Sequence, residues 1–364
     1  MKKLVALVAT VAMTASLMVG CKSGEAEKKP ETGTDKPVAE TIKIGLATDE
    51  GGINDKSFNQ TASEGVVKAK NELGIEYKYV ESQKKEDYVP SLQALVDDNA
   101  QLTFGVGFQL ADAVKEVATN NPDVNFCLID SVVEADNVLS ITFKEEEGSF
   151  LMGVIAGLTT KTNKIGFIGG KDFDTINKFE AGFAAGVQAV NPEAAKGLIS
   201  ADGKTAGTTV KYADSFSDTN KGYELSKSLY DAGCDVIYHA AGGVGIGLFK
   251  ATQELRKAGQ DVWAIGVDMD QAVSLPDYAD CILSSMMKRV DNATYETSKA
   301  MVDGTFKAGV KTLGIAEGGV GIAASTNKNT KADVLKKAQE YETKIKNGEI
   351  KVPATRQEAV DFAK

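Results

Sequence analysis

Residues 42–60, IKIGLATDEGGINDKSFNQ, decide the fold: an apolar run with strand character empties at once into Asp49, Gly51, Gly52, Asn54, Asp55 and a lone aromatic, Phe58. A strand that ends in glycines and polar side chains and turns directly into a helix is how a ligand loop is built at the carboxyl edge of a parallel sheet. The paired glycines accept backbone angles closed to other residues, and Asn54 or Ser57 is placed to cap a helix beginning near Phe58. The polar groups left over face a crevice, and an apolar ring among them suits a ligand with a flat face. The competing reading is an ordinary turn with Phe58 tucked into the core, because most such turns bind nothing.

The segments before this loop set the compartment. Met1-Lys2-Lys3 is a short basic start, and Leu4 to Val19 is an uncharged apolar run too short for a comfortable membrane span, so residues 1–20 read as a secretory signal. The run closes on Leu17-Met18-Val19-Gly20-Cys21, which resembles the bacterial lipobox, with Met18 and Val19 looser than its usual pattern. Cys21 is therefore the candidate lipidation site and mature N-terminus. Plain secretion with an incidental cysteine is the alternative. Residues 21–40 are dense in Lys, Glu, Pro and Gly and cannot bury enough surface to fold, which makes them a tether.

More than 300 residues follow, enough for two domains with proper cores. The net charge of −10, without clustered Lys or Arg outside the signal, argues against nucleic acid and against anionic lipid headgroups. Cys127, Cys234 and Cys281 each lie in an apolar or strand-like run, without CxxC spacing and with only His239 as a companion, so buried thiols are expected and zinc is not. A Cys234–Cys281 disulfide stays open, since sequence cannot place the two together.

The body alternates strands (42–48, 76–80, 102–106, 125–130, 138–142) with helices (58–72, 88–98, 109–120), the pattern of a doubly wound parallel sheet. After a glycine-rich helix at 146–160 the pattern restarts at 164–170, KIGFIGG, with helices at 174–190, 219–232 and 245–258 and strands at 208–213, 235–239 and 261–267. Two βαβ halves of similar size, each opening on a strand that runs into glycines, predict two Rossmann-like lobes. Late returns of the chain predict crossovers, with 41–160 plus about 285–310 in the first lobe and 161–284 plus about 311–364 in the second.

The glycine motifs fall short of phosphate-binding fingerprints. In Gly105-Val106-Gly107-Phe108-Gln109-Leu110 the third glycine is Leu110, and Gly170-Lys171 and Gly203-Lys204 lack the upstream glycine of a P-loop. Close backbone approach across a cleft explains these glycines better. His239 is the single histidine and ends a strand, where a satisfied structural side chain is the commoner outcome. Asp268 and Asp270 stand together at a strand end as a possible acid and base, and at most one of them is expected to enter a site. With no GxSxG, HExxH or metal spacing, no catalytic residue, cofactor or metal is expected.

TDEGGINDKSFNQ, FGVGFQLADAV, NPDVNFCLID, KIGFIGG, SFSDTNKG, IYHAAGGVGIG, AIGVDMDQ, SSMMKR and NGEIKVP, in that order over nearly all of residues 41–355, resemble the basic membrane protein family of lipoproteins, whose best-known members are purine nucleoside receptors. The resemblance implies a type I periplasmic-binding-protein fold with a crossover hinge, and a nucleoside (inosine, guanosine or adenosine) held between the lobes for an ABC importer permease. A monomer anchored on the extracytoplasmic face of the cell membrane is expected. By position, Asp49, Phe58 and Asn59 become ligand residues of the first lobe, with Phe58 stacking on the purine, and Asp130 matches the family acid that helps hold the nucleoside. Read from its residues alone, Asp130 is as well explained as a helix cap. In the second lobe the resemblance gives Gly242 close backbone approach, Asp268 the ribose hydroxyls and Lys288 a donor role, with Phe216 or Phe179 as the second ring. A sugar or furanosyl signal in the same fold is the nearest alternative, and an exported nucleoside-cleaving enzyme is the alternative of another class.

Overall fold

The computed structural model describes residues 41–363; the expected signal peptide, Cys21 and the tether lie outside them. Strands β1 (Lys43–Thr48), β2 (Glu76–Glu81), β3 (Leu102–Val106), β4 (Asn125–Ile129) and β5 (Val138–Phe143) alternate with helices α1 (Phe58–Leu73), α2 (Tyr88–Asp97) and α3 (Ala111–Asn120). The series then repeats as α4 (Glu145–Thr159), β6 (Ile165–Gly169), α5 (Asp174–Val190), α6 (Pro192–Ala195), β7 (Val210–Tyr212), α7 (Thr219–Asp231), β8 (Val236–Ala240), α8 (Val244–Lys257) and β9 (Trp263–Asp268). Last come α9 (Gln271–Ser274), β10 (Ile282–Lys288), α10 (Val290–Val302), β11 (Gly309–Leu313), β12 (Val320–Ile322), α11 (Ala332–Lys346) and α12 (Arg356–Phe362).

The strands form two six-stranded sheets, ordered β11-β5-β4-β3-β1-β2 and β12-β10-β9-β8-β6-β7. All pairings are parallel except β10 with β12. In both sheets the order reverses at the first strand, β1 between β2 and β3 and β6 between β7 and β8. Such a switch point leaves a crevice beyond the carboxyl ends of the strands. The strands flanking it are buried on both faces, Ile44, Leu46 and Phe104 in one sheet and Phe167, Ile237 and Tyr238 in the other being inaccessible.

Two expectations about the lobes need correction. The glycine-rich helix 146–160, assigned to the first lobe, is α4 and packs on α5, α11, β10 and β12 of the second. Its glycines are what that contact demands: a Cβ on Gly153 would lie 2.2 Å from the Phe183 carbonyl oxygen, and one on Gly186 of α5 would lie 2.0 Å from that of Phe150. The strand through residue 288 belongs wholly to the second sheet, so the return to the first lobe begins with α10, which packs on α1, and runs through β11. The chain thus passes between the lobes between β5 and α4, between β10 and α10, and between β11 and β12.

Candidate binding site

The loop after β1 is organised by a residue other than those predicted to cap α1. Neither Asn54 nor Ser57 caps with its side chain; Asp55 does so, accepting from the backbone N–H groups of Ser57 (2.9 Å), Asn59 (2.9 Å) and Gln60 (3.1 Å). A carboxylate at this end also meets the positive end of the helix dipole. Burial still pushes Asp55 up to about 7. Its turn sets Asn59, whose amide donates to Asp49 Oδ1 at 2.8 Å, and frees the Ser57 hydroxyl to donate across the crevice to Asp268 Oδ2.

Asp49, Asp55, Phe58, Asn59, Gly107 and Phe108 line the first-lobe side of a cavity that opens to solvent. From the second lobe come Ile176, Phe179, Phe216, Gly242 and Asp268; Asp130 and Lys288 complete the wall. Every residue expected from sequence as a ligand contact therefore lies on this one cavity. Gly242 adopts a left-handed backbone, φ 56°, in the turn from β8 into α8. Phe216 lies so close to Gly170 that a Cβ there would be 2.1 Å from the ring, and it meets Phe108 of the opposite lobe edge-on at 6.3 Å. Phe179 is more deeply set, 4% exposed within the core.

The electrostatics converge on Lys288. Its ammonium is buried 2.6 Å from Asp130 Oδ2 and 3.0 Å from Glu145 Oε1, and 4.9 Å from the centre of the Phe58 ring. Burial disfavours its charge, but Asp130, Glu145 and Asp268 together hold its affinity for the proton above the ordinary value. Burial pushes the Asp130 carboxyl up, against the pull of Lys288, and pushes Asp49 and Asp268 up as well. Asp130 caps no helix: φ of 71° turns it away from the strand toward Lys288, and its Oδ1 is buried without a partner, as is Asn59 Oδ1. Both residues line the cavity.

Outside the wall, Asp270 accepts from the backbone N–H of Ser325 at 3.0 Å, so of the two neighbouring acids Asp268 alone lines the cavity. His239 is buried, pushed down to about 4 by burial, and its Nε2 meets Gln271 Oε1 at 3.0 Å. Cys127, Cys234 and Cys281 are free and buried, which closes the disulfide question against the 234–281 pair. Among the described residues no group of His, Cys, Asp and Glu is arranged to hold a metal ion, and no helix is long and apolar enough to cross a membrane. Sequence reading missed the roles of Ser57, Phe108 and Glu145, which depend on partners far along the chain, and of Asp55, whose partners are local but which is one of several residues able to cap there.

Two switch-point sheets closing on one polar-ended cavity define a two-lobed binding protein of the type I periplasmic class. The chain belongs to the family of PnrA-like ABC transporter substrate-binding proteins, whose profile matches residues 42–356. It is 39% identical over 97% of its length to a CD4+ T-cell-stimulating antigen of Listeria innocua, covering 99% of that protein. It is 36% identical over 97% of its length to the ABC transporter nucleoside-binding protein BmpA of Lactococcus lactis, covering 100% of it. Among solved structures, an ABC transporter solute-binding protein of Aeropyrum pernix superposes with a TM-score of 0.75 at 28% identity, over 86% of this chain and 94% of that one.

Proposed function

We propose that this chain is the receptor of an ABC importer for purine nucleosides, inosine, guanosine or adenosine, working as a monomer held on the extracytoplasmic membrane face by lipid on Cys21. The observation that carries the ligand class is the pairing of Phe58 and Phe216, from opposite lobes, on one cavity whose other groups are Asp49, Asn59, Asp130, Asp268 and Lys288. Two rings suit a flat base, and carboxylates beside a lysine suit a vicinal diol, since a carboxylate accepts two hydroxyl hydrogens while an ammonium donates to oxygen. The relative named as a nucleoside-binding protein supports the same reading. The reading gives no residue a catalytic role and requires no cofactor.

Mass spectrometry of ligand released from the purified protein, with calorimetric competition among inosine, deoxyinosine, hypoxanthine and inosine monophosphate, tests it. Inosine should win, because a missing hydroxyl leaves a buried group unpaired at a cost of about 1–3 kcal/mol, and a 5′ phosphate meets carboxylates without an arginine cluster. Phe58→Ala should weaken inosine binding by roughly 1–3 kcal/mol, the range for losing one aromatic–base contact. A released sugar, or equal binding of hypoxanthine and inosine, overturns the assignment. Turnover of inosine on overnight incubation would move the chain to the nucleoside-cleaving class. Mass measurement of the mature protein tests the anchor: a native N-terminus elsewhere than Cys21, or no lipid mass, removes it.

A further inference from the structure

β1 ends at Thr48 and β6 at Gly169, so Glu50 and Lys171 occupy the same place in the two halves of the repeat, two residues past the first strand. There they carry opposite charge and face each other across the crevice: Lys171 Nζ lies 2.6 Å from Glu50 Oε1 and donates to Gln109 Oε1 at 3.1 Å. Both partners of Lys171 belong to the first lobe. Only 21% of the Lys171 side chain and 23% of that of Glu50 is exposed, yet neither borders the cavity. Beside them Phe108 of the first lobe packs on Phe173 of the second, ring centres 5.2 Å apart. Other bonds also join the lobes, among them Ser57 to Asp268, Gln271 Nε2 to the Lys56 carbonyl oxygen at 2.9 Å and Lys288 Nζ to Asp130 Oδ2 at 2.6 Å.

We propose that Lys171, with Glu50 and Gln109, is a clamp that closes the cleft ahead of the ligand: a positioning group that touches no ligand but sets how much of the empty protein is closed. Its contacts exist only when the lobes are together, so their free energy favours the closed form alone. The apparent affinity for any cleft ligand scales with the closed fraction. The clamp also answers a charge problem. Closure gathers Asp49, Asp55, Asp130 and Asp268 around one buried lysine, and Glu50 would add to that repulsion were Lys171 absent. An ion pair still one-fifth exposed is partly screened by salt, which makes closure ionic-strength dependent.

The test rests on the cleft, not on the identity of the ligand, so failure of the nucleoside assignment reads out separately. Glu116→Cys in α3 and Glu224→Cys in α7 are exposed label sites on the two lobes, and the three native thiols of the described chain are buried. Inter-label distances are measured in the full chain, empty and with inosine, at low and high salt. The empty protein should populate the short distance, less so at high salt. Lys171→Met and Glu50→Gln should each shift the empty protein toward the long distance and weaken inosine binding roughly three- to ten-fold, through faster release. The double variant should add little to either single one, and Lys171→Arg should restore most of the closure. An empty wild type lacking the short distance, or a Lys171→Met protein with unchanged distances, overturns the clamp. If inosine fails to bind the wild type, the ligand-free distances still decide.

Discussion

Asp130 and Asp268 close corresponding strands of the two lobes, β4 and β9, and both sit in the left-handed backbone region, φ 71° and 69°. A non-glycine residue there is uncommon, and it persists where surrounding contacts over-determine it. Yet their employment differs. Each reaches a residue of the other lobe, but Asp130 gives one oxygen to the Lys288 ammonium at the end of β10 and keeps the other unpartnered, whereas Asp268 gives one to the Ser57 hydroxyl in the loop after β1. The repeat fixes where a carboxylate stands, and the late strand β10 and the first-lobe loop fix what it does. One aspartate belongs to the charge cluster beside the crossover, the other to the contact with the loop after β1.

Removing the lysine should break the comparison most severely. Lys288→Met leaves Asp130 buried without its cation and Glu145 with Lys178 alone, and breaking a buried pair by deleting one partner costs about 3–5 kcal/mol. Denaturant unfolding of the ligand-free protein should register that loss, and a midpoint close to wild type would mean the cluster is better solvated than its burial implies.

Neutralising the aspartates one at a time should sharpen the contrast. Asp130→Asn keeps Lys288 paired with Glu145 and should lower inosine affinity by about 1.5–3 kcal/mol, the value of a hydrogen bond to a charged group, with the lobes still closing. Asp268→Asn should instead open the empty protein, and Ser57→Ala should reproduce that opening. If both aspartate variants lose affinity and leave closure untouched, the division of labour is wrong.

The smallest effect concerns Asp55, raised to about 7 by burial against an ordinary value near 4. A carboxyl whose folded value lies above its unfolded one stabilises the fold fully below about pH 4, and that contribution is lost as the pH rises through about 7. Asp55→Asn does not titrate, so its melting-temperature deficit against wild type should be a few degrees larger at pH 5 than at pH 8. A deficit independent of pH would place the Asp55 titration outside this window.

What was legible in the sequence was periodic or adjacent. Period and length gave the strands, helices and two lobes, and the run from Thr48 to Phe58 gave the first-lobe side of the cavity because a strand end, glycines and a helix start stand side by side. Asp55 hid in plain view, one of several residues able to cap, and only the turn at Lys56, φ 56°, selects it. Ser57 and Asp268 are 211 positions apart, and no local rule pairs them. The lobe of α4 failed for a related reason: an apolar, glycine-rich helix announces a close neighbour without saying which, and the matching Gly182 and Gly186 lie in the next helix.

The three passages between lobes also govern the order in which the molecule can be made. β1 to β5 are complete by residue 143, but α10, whose Asp291 carbonyl oxygen would lie 2.0 Å from a Cβ on Gly65 of α1, arrives about 150 positions later, followed by the edge strand β11. Until then the first lobe has an uncovered helix and an open sheet edge, the features that recruit wrong partners. The second sheet waits for β12 likewise. A chain truncated before residue 309 would have neither lobe finished, so it should behave as an aggregating fragment and not as half of a binding protein.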